Sequence, residues 1–397
     1  MRLITLLLFY LSLVGCAGID TVRESFSGMA NYFSGGEDNA EPPNKLTEYT
    51  PEIKVDILWK ERIGVGSAEK TLKLVPVISA GKIIVADSKG LVQARNLHDG
   101  ALYWEIETEL PLAAGPGVGA GTVVLGTSKA QVVALNSENG KVLWTVKVSS
   151  EVLSIPVISN GIVIVHCTDG TVVALNEKTG AKLWGYESNV PALSVRGTGT
   201  PVIAEDRVIG GYDSGKLIAL RLNDGKYVWE TGVAIPKGRS EVERLVDIDA
   251  DATSVGGTIF VASYHGGVSA VSELDGEVLW QNDSVSSYTG LSNDWRYLYL
   301  SDSVGDVWQL EQRSGSSLWK QKDLHQRQLS APAAYENFVV VGDFEGYVHW
   351  LSTVDGRLLG REKVTDVPID AKPVVTDNVV YVYAKDGTLA ALKVEIK

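Results

Sequence analysis

Proline opens a β-like run at Pro76, Pro116, Pro156, Pro201, Pro332 and Pro373, and one fixed frame follows every copy. Fourteen residues on stand Gly90, Ala130, Gly170, Gly215, Gly346 and Gly387; eighteen on stand Ala94, Ala134, Ala174, Ala219, Trp350 and Ala391. The first four copies add Trp104, Trp144, Trp184 and Trp229 ten residues later still. Two further copies lack the proline but keep the frame, through Gly266, Ala270 and Trp280 and then Gly305, Gln309 and Trp319. A period of about forty to fifty residues belongs to propeller blades.

Each copy parses into four short strands, such as Pro76-Val77-Ile78, Lys82 to Ala86, Leu91 to Ala94 and Ala101 to Trp104. Proline is tolerated at the first residue of a strand, where its missing donor costs nothing. The turn between the third and fourth strands ends in Gly100, Gly140, Gly180, Gly225, Gly276, Gly315 and Gly356, as a positive φ requires. The recurring alanine predicts space on the third strand for a neighbouring blade's tryptophan. Each buried indole removes about 150–250 Å² from water, on the order of 4–6 kcal/mol before entropy. The eighth copy stops at Lys397, short of its tryptophan, while Ile53 to Trp59 is a tryptophan-bearing strand with no three before it. The two termini together complete an eighth blade, and a ring closed in this way leaves no open sheet edge across the join. The fold class is therefore all-β: an eight-bladed propeller of four-stranded antiparallel blades. Gly360 stands where its copy should carry tryptophan, and predicts one weaker junction.

Composition agrees. Ten Trp and fifteen Tyr against six Phe and two Met, with 45% hydrophobic and 21% charged residues, describe ordinary globular β material. A net charge of −13 argues against nucleic acid as a partner. Two cysteines build neither a disulfide framework nor a Cys-rich zinc site. Cys167, in a strand-like Ile164-Val165-His166 context, is expected to be a buried, inert thiol.

Arg2 and the apolar run Leu3 to Leu13 form a signal-peptide core, too short for a bilayer span of about twenty helical residues. The run ends Leu13-Val14-Gly15-Cys16, which resembles a bacterial lipobox with Cys16 as the lipidated residue. Ala17 follows, and the sorting pattern of such lipoproteins then implies the outer membrane, with the folded body in the periplasm. Residues 16–51, rich in Ser, Gly, Asn, Glu and Pro, read as lipidated N-terminus and flexible tether. The expected organisation is 1–15 signal peptide, 16–51 tether and 52–397 propeller.

The run Ala174 to Trp184 is similar to the tryptophan-docking motif of pyrroloquinoline-quinone dehydrogenases, which are also eight-bladed. Those enzymes use adjacent cysteines, a calcium-binding Glu/Asn/Asp set and a catalytic Asp in long insertions. This chain has neither adjacent cysteines nor long insertions, so no cofactor is expected. It more closely resembles the BamB family, propeller lipoproteins of the outer-membrane β-barrel assembly machine. The segments that carry the likeness are Val190 to Gly197, Glu241 to Asp249 and Val341 to Trp350. The resemblance implies a non-enzymatic scaffold that binds the POTRA domains of BamA, with the rest of that complex as further partners and nascent outer-membrane proteins as clients. Matched residue by residue, the BamA-binding positions fall on Leu193, Val195, Arg196, Asp247 and Asp249; the family usually has Leu where Val195 stands.

The repeat points to the same place. The tryptophans at the repeat position, from Trp104 through Trp144, Trp184, Trp229 and Trp280 to Trp319, lie 40, 40, 45, 51 and 39 residues apart. Both excesses fall in fourth-to-first-strand crossovers of consecutive blades, so two extended loops are expected side by side, bearing exposed apolar and charged groups. Long loops on a rigid scaffold commonly carry function. Catalytic and metal patterns are absent: the five histidines are scattered, and Asp247-x-Asp249-x-Asp251 lacks the Gly and Glu of a calcium loop. The alternatives are a quinoprotein-like periplasmic dehydrogenase and a peptide-binding propeller for unfolded clients.

Overall fold

A computed structural model describes residues 41–68, 70–188, 197–234, 245–264 and 266–396. Pro43–Lys397 forms one compact unit. Eight small antiparallel sheets make the propeller. Blades one to seven run in chain order, from Val77–Ser79 as the first strand of blade one to Leu358–Lys363 as the fourth strand of blade seven. Blade eight takes Val374–Thr376, Val379–Tyr383 and Thr388–Ile396 from the C-terminal end and Ile53–Arg62 from the N-terminal side. That closing pair keeps an antiparallel register from Ile53↔Ile396 to Arg62↔Thr388. Blade two has an extra strand, Lys73–Leu74, lying parallel to Leu112–Val118.

The core lies between the blades. Val124, Val132, Ala134 and Trp144 of blade two pack with Val163, Val165, Val173 and Leu175 of blade three in one cluster. Third strands such as Val172–Asn176 are buried on both faces because each sheet is sandwiched between two others. They therefore read as continuous apolar runs with no alternation.

Tryptophan docking differs from the sequence expectation in one respect. The small third-strand residue faces the tryptophan of its own blade in register, as Ala94↔Trp104, Ala174↔Trp184 and Ala270↔Trp280 show. The neighbouring blade receives each indole on its tight turn. Trp144 Nε1 donates to the carbonyl of Glu177 at 2.8 Å, and a Cβ on Gly180 would lie 2.8 Å from the Trp144 ring. Trp59, Trp104, Trp184, Trp229, Trp280 and Trp319 repeat the arrangement on Leu97, Ser137, Leu222, Glu273, Gln312 and Thr353. The turn glycine thus serves twice: it takes φ +71 at Gly180, and its bare Cα provides the surface on which an indole rests.

Gly360 follows from the same logic. The third and fourth strands of blade eight are the two ends of the chain, so no hairpin turn joins them and nothing exists for a blade-seven tryptophan to dock on. The pair is inverted instead, with Trp350 on the third strand opposite Gly360. Trp350 is fully buried and donates to the Tyr335 hydroxyl at 3.1 Å, and Ile53 of the closing strand occupies the space above Gly360. The expected weak junction is a repacked one.

Segment 44–52, read from composition as tether, lies along blades six and seven. Asn44 bonds the carbonyls of Lys322 and His325, Arg361 donates to the Thr47 carbonyl, and Arg357 forks onto the Glu52 carboxylate at 2.9 and 3.0 Å.

Candidate functional site

Alternating strand direction puts every fourth-to-first-strand crossover on one face of the ring, together with the second-to-third-strand turns. The crossovers after Lys182–Tyr186 and after Tyr227–Gly232 are the two long ones, at 187–201 and 233–252. Their inner ends meet. The Thr200 amide donates to Asp251 Oδ1 at 2.9 Å, and Lys73 from the eighth-to-first-blade crossover closes the junction. Lys73 Nζ donates to the Thr198 carbonyl at 2.8 Å, the Asp249 carbonyl at 2.7 Å and Asp251 Oδ1 at 2.8 Å. The approach needs glycine: a Cβ on Gly197 would stand 2.7 Å from the Asp249 carboxyl, and one on Gly199 2.7 Å from the Ile248 carbonyl.

Alternation explains the local sequence. Val246, Ile248 and Ala250 are buried, with Ile248 pressed against Gly211 and Val246 against Gly215 of blade four. The intervening Asp247, Asp249 and Asp251 fall on the other side of an extended segment, where Asp249 and Asp251 meet the 197–200 backbone. Burial tends to raise the Asp251 pKa, but Lys73 and the Thr200 amide outweigh it and hold the carboxyl below its usual range. Asp249 is pushed up to about 7, by burial first and then by Asp213, Asp247 and Asp251, against the opposing pull of Lys73. Lys372, from the seventh-to-eighth-blade crossover, donates to the Leu291 carbonyl, and burial lowers its pKa while Asp251 opposes the shift.

The expectation of exposed charges at Asp247 and Asp249 is corrected here. Asp247 is 1% and Asp249 9% exposed, because both belong to the foundation of the loops. Leu193, Val195, Arg196 and Cys16 lie outside the described residues. Lys73 was invisible to sequence reasoning: it stands more than a hundred residues upstream, in a crossover of unremarkable composition.

Other singled-out residues have structural settings. Cys167 is a buried thiol whose pKa burial raises. His166 packs 4.9 Å from the Tyr212 ring, and burial brings it down to about 4. In the Val341–Trp350 segment, Asp343 is fully buried and accepts from Arg327 Nε at 2.9 Å, with His349 Nε2 also 2.9 Å away. Burial tends to raise Asp343, but His349 and Arg327 hold it low. Among the described residues, no group of three or more His, Cys, Asp or Glu is arranged to hold a metal.

A family model described as outer membrane protein assembly factor BamB matches residues 88–321 and 311–396. The protein of that name from Pseudomonas aeruginosa is 48% identical over 350 residues, covering 88% of this chain and 92% of the relative. The one from Alkalilimnicola ehrlichii is 49% identical over 348 residues, covering 88% and 91%. Among solved structures, BamB from Moraxella catarrhalis superposes with a TM-score of 0.77 at 27% identity, covering 86% of this chain and 100% of that one. A quinohemoprotein alcohol dehydrogenase from Pseudomonas putida, at 12% identity and TM-score 0.65, covers 86% and 76% and shares the fold alone.

Proposed function

The chain belongs to the BamB family of outer-membrane protein assembly factors, and from that premise we propose that it is a non-catalytic, lipid-anchored scaffold that holds BamA by a POTRA domain. Cys16 carries the lipid, and the propeller works in the periplasm at the outer membrane, where it assists insertion of β-barrel proteins. Leu193 and Val195 supply the apolar tip of the contact and Arg196 its charge. Asp247 and Asp249 act one layer below, by fixing the segment from which the second loop springs.

The observation that carries this reading is the junction of the two long crossovers. The roots of two adjacent crossovers of consecutive blades are joined by Lys73 and by Thr200 on Asp251. Fixing the roots of a loop before contact lowers the entropy cost of binding. Leu193→Ala combined with Arg196→Ala is expected to abolish co-purification with BamA from detergent-solubilised outer membranes while circular dichroism stays native. Retained co-purification with a native spectrum would remove the assignment.

A further inference from the structure

The fourth strand ends every blade sheet, so the rim of the ring is a succession of strand edges. Of the fifteen large apolar side chains exposed among the described residues, eleven stand on these fourth strands. The residue just before the repeat tryptophan is bare on six blades: Leu58, Tyr103, Leu143, Leu183, Leu279 and Leu318 are 45–52% exposed. Tryptophan docking does not require them, because the indole turns inward where its neighbours on the strand face solvent. Scattered exposed apolar residues need no explanation, but apolar side chains repeated along unpaired strand edges mark places where another chain can pair.

Blade seven shows what covers such an edge. Its matching residue, Leu359, is 6% exposed, and residues 44–53 of the same chain lie against its strand. The Glu52 amide donates to the Leu359 carbonyl at 2.9 Å, and Arg361 donates to the Thr47 carbonyl at 2.9 Å. Numbers fall along this segment as they rise along Leu358–Lys363, so it runs antiparallel to the edge. Leu46 and Leu358 pack against one apolar cluster, and Ile53 and Leu359 share another. The occupant this rim accepts is therefore a chain segment that bonds the edge through its backbone and lays apolar side chains on the strand.

Blades two and three offer the same ground uncovered. Their fourth strands, Val142–Lys147 and Lys182–Tyr186, carry no carboxylate, whereas Glu105 and Glu107 stand on that of blade one and Glu230 on that of blade four. Lys141, Lys147 and Lys182 form no ion pair among the described residues, so the polar complement of this rim is anionic. On blades five and six, Asn282 and Gln321 instead bridge from the edge to the Gly315 and Gly356 carbonyls of the next blade's turn.

We propose that the rim of blades two and three is a second binding site, which takes an unfolded polypeptide segment alternating apolar with acidic side chains as an added strand on Val142–Lys147. Main-chain bonds to the edge supply affinity, Leu143 and Leu183 select the apolar alternation, and the three lysines select carboxylates. The site stands apart from the two long loops and does not rest on the BamA reading.

The test uses the full-length protein in mild detergent and a short fluorescein-labelled peptide alternating valine with threonine and glutamate. Fluorescence anisotropy should show saturable binding, and Leu143→Ser with Leu183→Ser should weaken it about tenfold or more with native circular dichroism. The same peptide N-methylated at alternate backbone amides should fail to bind. A benzophenone probe on Leu143→Cys should cross-link the peptide and one on Leu274→Cys should not; Cys167 is buried and leaves the label to the new thiol. Absence of binding, or binding that the serine pair leaves unchanged, overturns the proposal. Equal binding of the N-methylated peptide reveals apolar adhesion without strand pairing and also overturns it. Leu193→Ala with Arg196→Ala should leave peptide binding intact, which separates this site from the loop assignment; loss of binding in that variant would move the peptide to the loops and overturn the rim.

Discussion

If the turn glycine is the seat of the neighbouring indole, Gly180 and Trp144 must be coupled energetically, and a double-mutant cycle measures the coupling. Gly180→Ala alone does two things. It places a Cβ at φ +71, a left-handed strain of about 1–2 kcal/mol, and it drives that atom to 2.8 Å from the Trp144 ring and 2.9 Å from Val146 Cγ1. The collision adds about 1–3 kcal/mol of overpacking. Trp144→Ala alone removes a side chain that is 8% exposed, costing about 3–5 kcal/mol, and the bond to the Glu177 carbonyl with it. With the indole absent, Gly180→Ala retains its backbone strain and loses most of the collision. The double mutant should therefore be more stable than the sum of the singles by about 1–3 kcal/mol, measured as shifts in guanidinium midpoint at constant slope. Additivity within about 0.5 kcal/mol would refute the reasoning.

Gly360→Trp should lower the melting temperature, because Ile53 fills the space a side chain there would enter and blade eight offers no turn to receive an indole; an unchanged or raised value would count against the inverted pairing. Arg327→Ala strands the buried Asp343 carboxylate and is expected to cost about 3–5 kcal/mol in urea unfolding. Asp249 is an acid whose folded pKa, about 7, lies above its unfolded value, so its folded form binds the extra proton. The stability it contributes is present below about pH 4 and is lost as pH rises towards 7, an effect of at most a few kcal/mol. Asp249→Asn should flatten that slope between pH 5 and 7.5, and an unaltered slope would remove Asp249 as its source. Lys73→Met should speed amide exchange at Thr198–Thr200 while leaving the blade strands protected; unchanged exchange would mean the loop roots are held by something else.

Much of this architecture is legible in the chain because a propeller repeats its instructions. Fixed offsets among proline, glycine and tryptophan give the blade count, and the unpaired Ile53 to Trp59 strand gives the closure. What misleads is partner identity. The spacing that sets Ala94 opposite Trp104 is a within-blade register, yet it reads equally well as a contact between blades. Gly360 looks like a defect until the missing hairpin of blade eight is seen. The loop excess locates the two crossovers correctly, but a run of acidic residues suggests exposure, and the burial of Asp249 comes from the distant 197–200 backbone that packs on it. Lys73 meets Thr198, Asp249 and Asp251 only through a juxtaposition of distant crossovers, which no local pattern encodes.

The bonds along blades six and seven matter most when the protein is pulled. A load arriving through residues upstream of Asn44 reaches Asn44, Thr47 and Glu52 before it reaches Ile53, and the partners of those three residues sit on the neighbouring sheets. Like a cable clamp set ahead of a plug, this stretch diverts tension from the seam where the chain's two ends meet. Drag on a tethered molecule would be spread over two intact blades instead of peeling the seam open from its first residue.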